Sequence, residues 1–384
     1  MGAKSTSSFY SKEFWIALFK TVAIFAVLYM FLVSIGLIGA AFKGFGSRYA
    51  ESLMSSNAGP LIGLFIGVLA TSLIQSSSTT TSIVVGMVAA GTFGDNTSVA
   101  VAAAVPYIMG ANIGTSITNT IVSLGHITSI TEFRRAFSAS IVHDFFNIMA
   151  VIILLPIQLS TGFLSKTAVW MAELFIGAEA ITFKSPIKII TKPTVHWISD
   201  LFKQQEIINY NALLMIGAFI LLFLSLKYLT KLIKSLVIER LEVFFDSHIF
   251  KTVLRAMFFG FFITIMVQSS SITTSLVVPM AGAGILSLKQ IFPYSLGANI
   301  GTTVTAILAS LVSGTITPVA VAFSHLLFNI CGILIIWPVS LIRNIPIKMA
   351  EWMADKAVQN RIFPILYVII VFFVVPLSLI LLVR

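Results

Sequence analysis

Long apolar stretches recur along the chain at Phe14 to Ala40, Val99 to Val122, Phe137 to Leu159, Ala212 to Leu229, Ser295 to Val312, Val319 to Leu341 and Ile362 to Val383. Each approaches the roughly 20 residues a helix needs to cross a bilayer. Lipid offers the backbone no hydrogen-bond partners, so spans of this kind are helical. Two other apolar runs are interrupted. Leu61 to Ile74 gives about 21 Å of helix, short of a roughly 30 Å hydrocarbon core, and it ends in Gln75-Ser76-Ser77-Ser78. The run from Val253 to Leu288 is broken by the same tetrapeptide at Gln268 to Ser271. The pattern predicts two helical hairpins broken at a polar motif. Backbone left unpaired at that depth must face protein or a polar cavity.

Composition agrees with lipid as the solvent: 58% of the 384 residues are hydrophobic and 10% are charged, against about a quarter charged in a soluble domain. Lys12 and Lys20 beside the first apolar stretch, with Gly39 to Ala41 after it, could imitate a secretory signal. Its length and the later spans favour a retained helix. The net charge of +10 sits between apolar segments, as topogenic charges do, so no nucleic-acid partner is expected. Cys331 is the sole cysteine, which excludes an intramolecular disulfide and a thiolate metal cluster.

The chain also repeats itself. Gln75 to Gly91 (QSSSTTTSIVVGMVAAG) aligns without gaps to Gln268 to Gly284 (QSSSITTSLVVPMAGAG) with 12 of 17 positions identical. PYIMGANIGT from Pro106 to Thr115 matches PYSLGANIGT from Pro293 to Thr302, and His143 and Asn147 match His325 and Asn329. Three ordered blocks make a duplication. The expected organisation is an N-terminal segment with the first spanning helix (1–58), repeat 1 (59–159), a connecting segment with one span (160–251), repeat 2 (252–341) and a C-terminal spanning segment (342–384). Glu132, Arg134 and Arg135 follow the first GANIGT segment, whereas Val312 to Pro318 after the second carries no charge. By the positive-inside bias these equivalent points lie on opposite sides, which predicts inverted repeats. Lys231, Lys234, Arg240 and Lys251 fit an inside placement; Lys184, Lys188, Lys192 and Lys203 do not. The fold expected is an all-α integral membrane protein of two inverted repeats, each with a broken or re-entrant hairpin carrying QSSS.

A broken helix suits ions of both signs. The N-terminus of the following half-helix gives free N–H donors and positive dipole to a tetrahedral oxyanion, and serine hydroxyls add donors. The carbonyl-rich end of the preceding half-helix, the Gln oxygen and the hydroxyls suit Na⁺. Packing alone can explain a single hydroxyl between membrane helices, but not two near-identical runs at matching repeat positions. Asn112 and Asn299, with Gly110, Gly114, Gly297 and Gly301, mark either close helix packing or ion contact. Asp144 falls about ten residues from the expected interface, near the bilayer centre, and its counterpart in the second repeat is Leu326. An acid there is a functional hypothesis by default. His143 and His325 read as polar contacts between helices rather than metal ligands.

The two QSSS blocks, GANIGTSITNTIV from Gly110 to Val122 and EFRRAFSASIVHDFFN from Glu132 to Asn147, resemble the type II sodium-dependent phosphate cotransporters and their bacterial homologues. The resemblance covers both repeats. It implies sodium-driven import of inorganic phosphate by alternating access, with Na⁺ as coupling ion, no cofactor and no enzymatic activity. It places phosphate at Gln75, Ser76, Ser77, Gln268, Ser269 and Ser270, and Asn112 and Asn299 join that candidate set. Sodium falls to Gln268, Ser271, Thr302, Thr305 and Thr115. An aspartate tied to electrogenic transport in the family maps to Asp144. The chain lacks the long cysteine-bearing external loop and extended termini of animal members, and the expectation is a bacterial inner-membrane protein without a regulatory domain after Arg384. Counting spans puts Arg384 outside, whereas the family is expected to keep both termini inside. Oligomeric state is open, a homodimer being one option.

Three rival readings stand beside this one. An uncoupled anion channel could use the same helix ends. Another oxyanion, such as arsenate, sulfate or a phosphonate, or H⁺ as coupling ion, would keep the transporter and change its cargo. An intramembrane serine hydrolase with His143 and Asp144 is disfavoured, because adjacent helical residues point about 100° apart.

Overall fold

The computed structural model describes residues 12–54, 59–175, 186–203, 210–235, 249–311 and 315–383. Among the described residues the chain is helical, without a strand. Seven helices among the described residues are long and apolar enough to cross a membrane: Leu18–Phe45, Thr97–His126, Ile130–Thr161, Tyr210–Leu229, Leu288–Leu308, Ile316–Ile336 and Phe363–Leu382. They coincide with the seven apolar stretches of the sequence. The first helix runs further than its apolar stretch, from Lys12 to Met54. Part of the loop evidence for inversion, residues 312–314, lies outside the described residues, as do Lys184 and Arg240.

The helices are α1 (Lys12–Met54), α2 (Pro60–Ile74), α3 (Ser77–Ala89), α4 (Thr97–Gly114), α5 (Ile117–Ser123), α6 (Ile130–Thr161), α7 (Phe163–Phe175), α8 (Pro186–Lys203), α9 (Tyr210–Ser235), α10 (Val253–Val267), α11 (Ser270–Ala283), α12 (Leu288–Leu311), α13 (Ile316–Ile336), α14 (Ser340–Gln359), α15 (Phe363–Ile369) and α16 (Val375–Val383). A π-turn at Ile370–Val374 separates the last two. Helix α8 is too polar to cross a membrane unaided, with Lys188, Lys192, Asp200 and Lys203 within its 18 residues.

The two sequence repeats pack alike. In the first, α2 lies against α4, and in the second α10 lies against α12, as the most extensive contacts of each. Small residues set the distance. A Cβ at Gly67 of α2 would strike the Tyr107 carbonyl, and one at Gly110 of α4 the Leu64 carbonyl. The equivalent Gly260 and Gly297 meet the Tyr294 and Met257 carbonyls in the same way. Backbones approach this closely only where side chains are absent, the usual device of helix pairs in lipid. The repeats also interlock, α11 packing on both α5 and α6, and the helices that follow each repeat reach across to the other, α7 onto α13 and α14 onto α6.

The repeat helices form the centre and the others surround it. Within an apolar 18-residue stretch of Thr97–His126, 89% of residues are buried in the protein, against 33% for the stretch in Leu18–Phe45 and 22% for that in Phe363–Leu382. The outer helices present Trp15, Phe19, Phe25, Leu366 and Leu382 outward. In a membrane-spanning chain such an apolar face meets lipid.

Candidate functional site

Both QSSS motifs break their helices by the same local chemistry. Ser76 and Ser269 take extended backbone and cap the following helix, accepting from Thr79 N at 3.2 Å and Ile272 N at 3.3 Å. Serine is among the residues best suited to that role. The preceding Gln75 and Gln268 close α2 and α10 in the left-handed region, at φ 58° and φ 53°. They are the positive-φ residues other than glycine among the described residues. A glycine would occupy that position without steric cost. Holding two glutamines there instead, at equivalent points, is the kind of local strain that persists where a side chain has a task.

The two breaks, 193 positions apart in sequence, open onto one cavity of about 340 Å³. Gln75, Ser76, Thr79 and Thr118 of the first repeat line it together with Ser269 and Ser271 of the second. The N-termini of α3 and α11 therefore approach a common space. Helix geometry leaves the first N–H groups of each, beginning with Ser77 and Ser270, without intrahelical acceptors. The Gln75 carboxamide is fixed, its Oε1 accepting from Thr118 Oγ1 at 2.9 Å and its Nε2 donating to the Ser72 carbonyl at 2.6 Å.

Basic side chains share the cavity with the motifs. Lys43 of α1 and Lys192 and His196 of α8 line the same cavity, with Thr191 and Val195, and no carboxylate is among the lining residues. The sequence reading missed all three. Lys192 was counted there among loop charges, and no motif or spacing marks Lys43. The available signal was that both lysines lie beside apolar helical stretches.

Other candidate residues sit away from the cavity lining. Ser77 and Ser270 are buried in the first turns of α3 and α11, and Gln268 is half-buried at the end of α10. Thr115 and Thr302 turn their hydroxyls back to the Ala111 and Ala298 carbonyls at 3.0 and 3.2 Å. The helix breaks between Gly114 and Ile117, however, and the Thr115 carbonyl accepts from Ser271 Oγ at 3.3 Å, which ties the first GANIGT segment to the second motif. The equivalent stretch of α12 is continuous through Thr302 and Thr305. Asn119 strengthens the same junction, its Oδ1 accepting from Thr274 and Ser275 of α11 at 3.0 and 2.9 Å.

Asn112 and Asn299 belong to a buried network between the repeats and do not line the cavity. Asn112 Nδ2 donates to Asn329 Oδ1 at 2.7 Å, and Asn112 Oδ1 lies 2.9 Å from His325 Nε2. Asn299 Nδ2 donates to Asn147 Oδ1 at 3.1 Å, and Asn147 Nδ2 lies 3.3 Å from His143 Nε2. Their carboxamides tie the two repeats together. The two histidines are interhelical contacts, as the sequence suggested. Asp144, beside His143, is fully buried and accepts from Tyr367 Oη at 2.8 Å.

Thr71 and Thr264, one turn before the two glutamines, add a matched pair. Each is fully buried, and its hydroxyl has no hydrogen-bond partner among the described residues. Each also packs its Cβ against the second glycine of a GANIGT segment, Gly114 or Gly301.

The family described as Na+/Pi-cotransporter matches residues 30–182 and 221–336, which takes in both motifs and both GANIGT segments. The chain belongs to the Na+/Pi-cotransporter family. It is 32% identical over 451 residues to the sodium-dependent phosphate transport protein 2B of Homo sapiens, covering 94% of this chain and 64% of that protein. Over 432 residues it is 32% identical to the sodium-dependent phosphate transport protein 2A of Rattus norvegicus, covering 94% of this chain and 67% of the relative. The chain thus spans about two thirds of the length of these cotransporter relatives. No solved structure matches it. Membership and the seven spans make this cotransporter-family chain a multi-pass membrane protein.

Proposed function

We propose that this chain is a secondary active transporter that imports inorganic phosphate with sodium. The observation that carries the reading is the shared cavity: two QSSS helix breaks from separate repeats meet in a space also lined by Lys43 and Lys192 and by no carboxylate. An oxyanion placed there receives hydroxyls from Ser76 and Ser269, N–H groups from the starts of α3 and α11, and charge from the two lysines. Helix N-termini favour anions for reasons of both dipole and unpaired donors. The names of the relatives support phosphate as the anion and sodium as the coupling ion.

Sodium is assigned to the carbonyl-rich ends of the preceding half-helices, near Gln268, Ser271, Thr302, Thr305 and Thr115, with Thr71 and Thr264 adding hydroxyl oxygens. Neutral oxygens at broken helices are the usual sodium ligands in transporters of this design. Asp144 is assigned to charge coupling, which makes the cycle electrogenic. The division into repeats at 59–159 and 252–341, inverted in the membrane and rocking in alternating access, belongs to the same reading. So does placement in the plasma membrane of a bacterium.

Radiolabelled phosphate uptake into proteoliposomes, with and without an inward sodium gradient, tests the function. Sodium-dependent accumulation above the external concentration is expected, and Gln75→Ala and Gln268→Ala should abolish it while the purified variants elute as folded protein. Sodium-independent equilibration would replace coupled transport with the anion-channel reading. Competition by arsenate and not sulfate is expected, since sulfate has no proton to donate at neutral pH.

A further inference from the structure

We infer that Tyr367, on a helix outside both repeats, is the positioning residue for the Asp144 carboxylate and sets how tightly the protein holds its coupling cation. The inference rests on the reading of Asp144 as part of sodium coupling. The evidence for Tyr367 is geometric. Asp144 lies on α6 with no exposed surface, and it has no repeat-related twin, since Leu326 occupies the matching position. Ser116 of the same repeat is a neighbouring donor, but the short bond that fixes one carboxylate oxygen comes from outside the duplicated frame. Tyr367 of α15 supplies it, donating its phenol proton to Asp144 Oδ2 at 2.8 Å. Asp144 Oδ1 has no hydrogen-bond partner, and no basic side chain pairs with this carboxylate, among the described residues.

A carboxylate buried at membrane depth among neutral donors alone, Tyr367 with the Ser116 hydroxyl and backbone N–H nearby, is far from compensated. One oxygen is held and the other is available, which is how a ligand for an incoming cation is aimed. The phenol itself is well fixed. Tyr367 is 9% exposed and its ring stands edge-on to Phe372, with centroids 5.9 Å apart and planes at 88°. Phe372 sits in the π-turn Ile370–Val374, directly after Tyr367's own helix. Such turns shift side-chain register within a helix and recur at functional sites. Helix α15 also packs against α5, the segment that carries Thr118 and Asn119. Helix α15 is in this way joined to the carboxylate at one point and to the segment that lines the anion cavity at another.

The test compares wild type, Tyr367→Phe, Asp144→Asn and the double variant. Tyr367→Phe removes one hydroxyl and keeps the ring. The sodium concentration for half-maximal phosphate uptake is expected to rise about ten-fold, the scale of a hydrogen bond to a charged group, while the phosphate KM at saturating sodium changes less than two-fold. Should Asp144→Asn fail to transport, sodium-dependent thermal stabilisation of the purified protein reads the same affinity without turnover. In the Asp144→Asn background the tyrosine change should have no further effect, because it acts through the carboxylate. A Tyr367→Phe sodium curve at or below the wild-type midpoint overturns the inference, as does a shift that persists in the Asp144→Asn background. No sodium response in the wild-type protein would overturn the transport reading and this one with it.

Discussion

Asn112 of the first repeat donates its side-chain proton to Asn329 of the second at 2.7 Å, while Asn299 of the second donates to Asn147 of the first at 3.1 Å. Each repeat thus hands a GANIGT asparagine to the other's His-x-x-x-Asn helix. All four asparagines are buried, so each bond is costly to leave unmade. Asn329→Leu should strand the Asn112 donor and lower stability by about 1–3 kcal/mol, and Asn147→Leu should do the same to Asn299. Thermal unfolding in detergent checks both, and comparable losses are expected from the two ends of the network.

Glycine substitutions should divide by location. Gly67→Ala and Gly260→Ala push a methyl group into a facing carbonyl, an overpacking cost of about 1–3 kcal/mol. Gly86 on α3 has open space where its Cβ would stand. Gly86→Ala should raise stability by about 0.5–1 kcal/mol through helix propensity. Melting temperatures of the three variants, measured side by side, decide whether close approach of α2 to α4 and α10 to α12 supports the fold.

Gln75 has a backbone task and a side-chain task that substitution can separate. Gly at this position adopts φ near 58° without strain, whereas a β-branched Val meets the full left-handed penalty of about 1–2 kcal/mol. Gln75→Gly is therefore expected to fold as well as the wild type and to lose phosphate uptake. Gln75→Val should lose uptake and stability together. Uptake retained by Gln75→Gly would show that the amide is dispensable.

Lys43 and Lys192 should govern anion affinity. Removing one positive charge from the cavity wall by Lys43→Gln or Lys192→Gln is expected to raise the phosphate KM about three- to ten-fold, and Arg at either position to restore most of it. The sodium dependence measured at saturating phosphate should stay close to wild type. Initial-rate uptake over a phosphate series, repeated at two ionic strengths, checks the charge origin of the effect.

At the start of α6, Arg134 pairs with Asp355 of α14 through two hydrogen bonds, one of 3.2 Å. The guanidinium holds the Asp355 carboxyl below the usual carboxylate range. A group depressed in the folded state contributes stability above its unfolded pKa and loses it as pH falls through the folded value. Both side chains are about half exposed, so Asp355→Asn should cost no more than about 1 kcal/mol. The difference between wild type and Asp355→Asn in thermal unfolding should be present at neutral pH, shrink in acid below the ordinary aspartate range, and weaken in high salt.

Much of this protein is written in local pattern. Apolar length marks the seven spans, because a bilayer admits only backbone that satisfies itself. Ser76 and Ser269 mark the two helix breaks, because an N-cap needs a hydroxyl just before a new first turn. The duplicated blocks reveal the repeats by comparison of the chain with itself. These properties depend on neighbours within a turn or two, or on a copy elsewhere in the same text, so the sequence determined them by itself.

Tertiary structure alone decided which single polar residues meet. Lys43 and Lys192 reach the motifs from α1 and α8 with no periodicity to announce them. Asn112 and Asn299 stand out in the repeated GANIGT segments, but only the packing shows that their carboxamides meet Asn329 and Asn147 of the opposite repeat. Asp144 was visible as an isolated acid, but its partner lies 223 positions away at Tyr367. A hydrogen bond between distant helices is set by how their faces pack. That packing follows from close-approach glycines and buried surface summed over the whole bundle, and no short window of residues contains it.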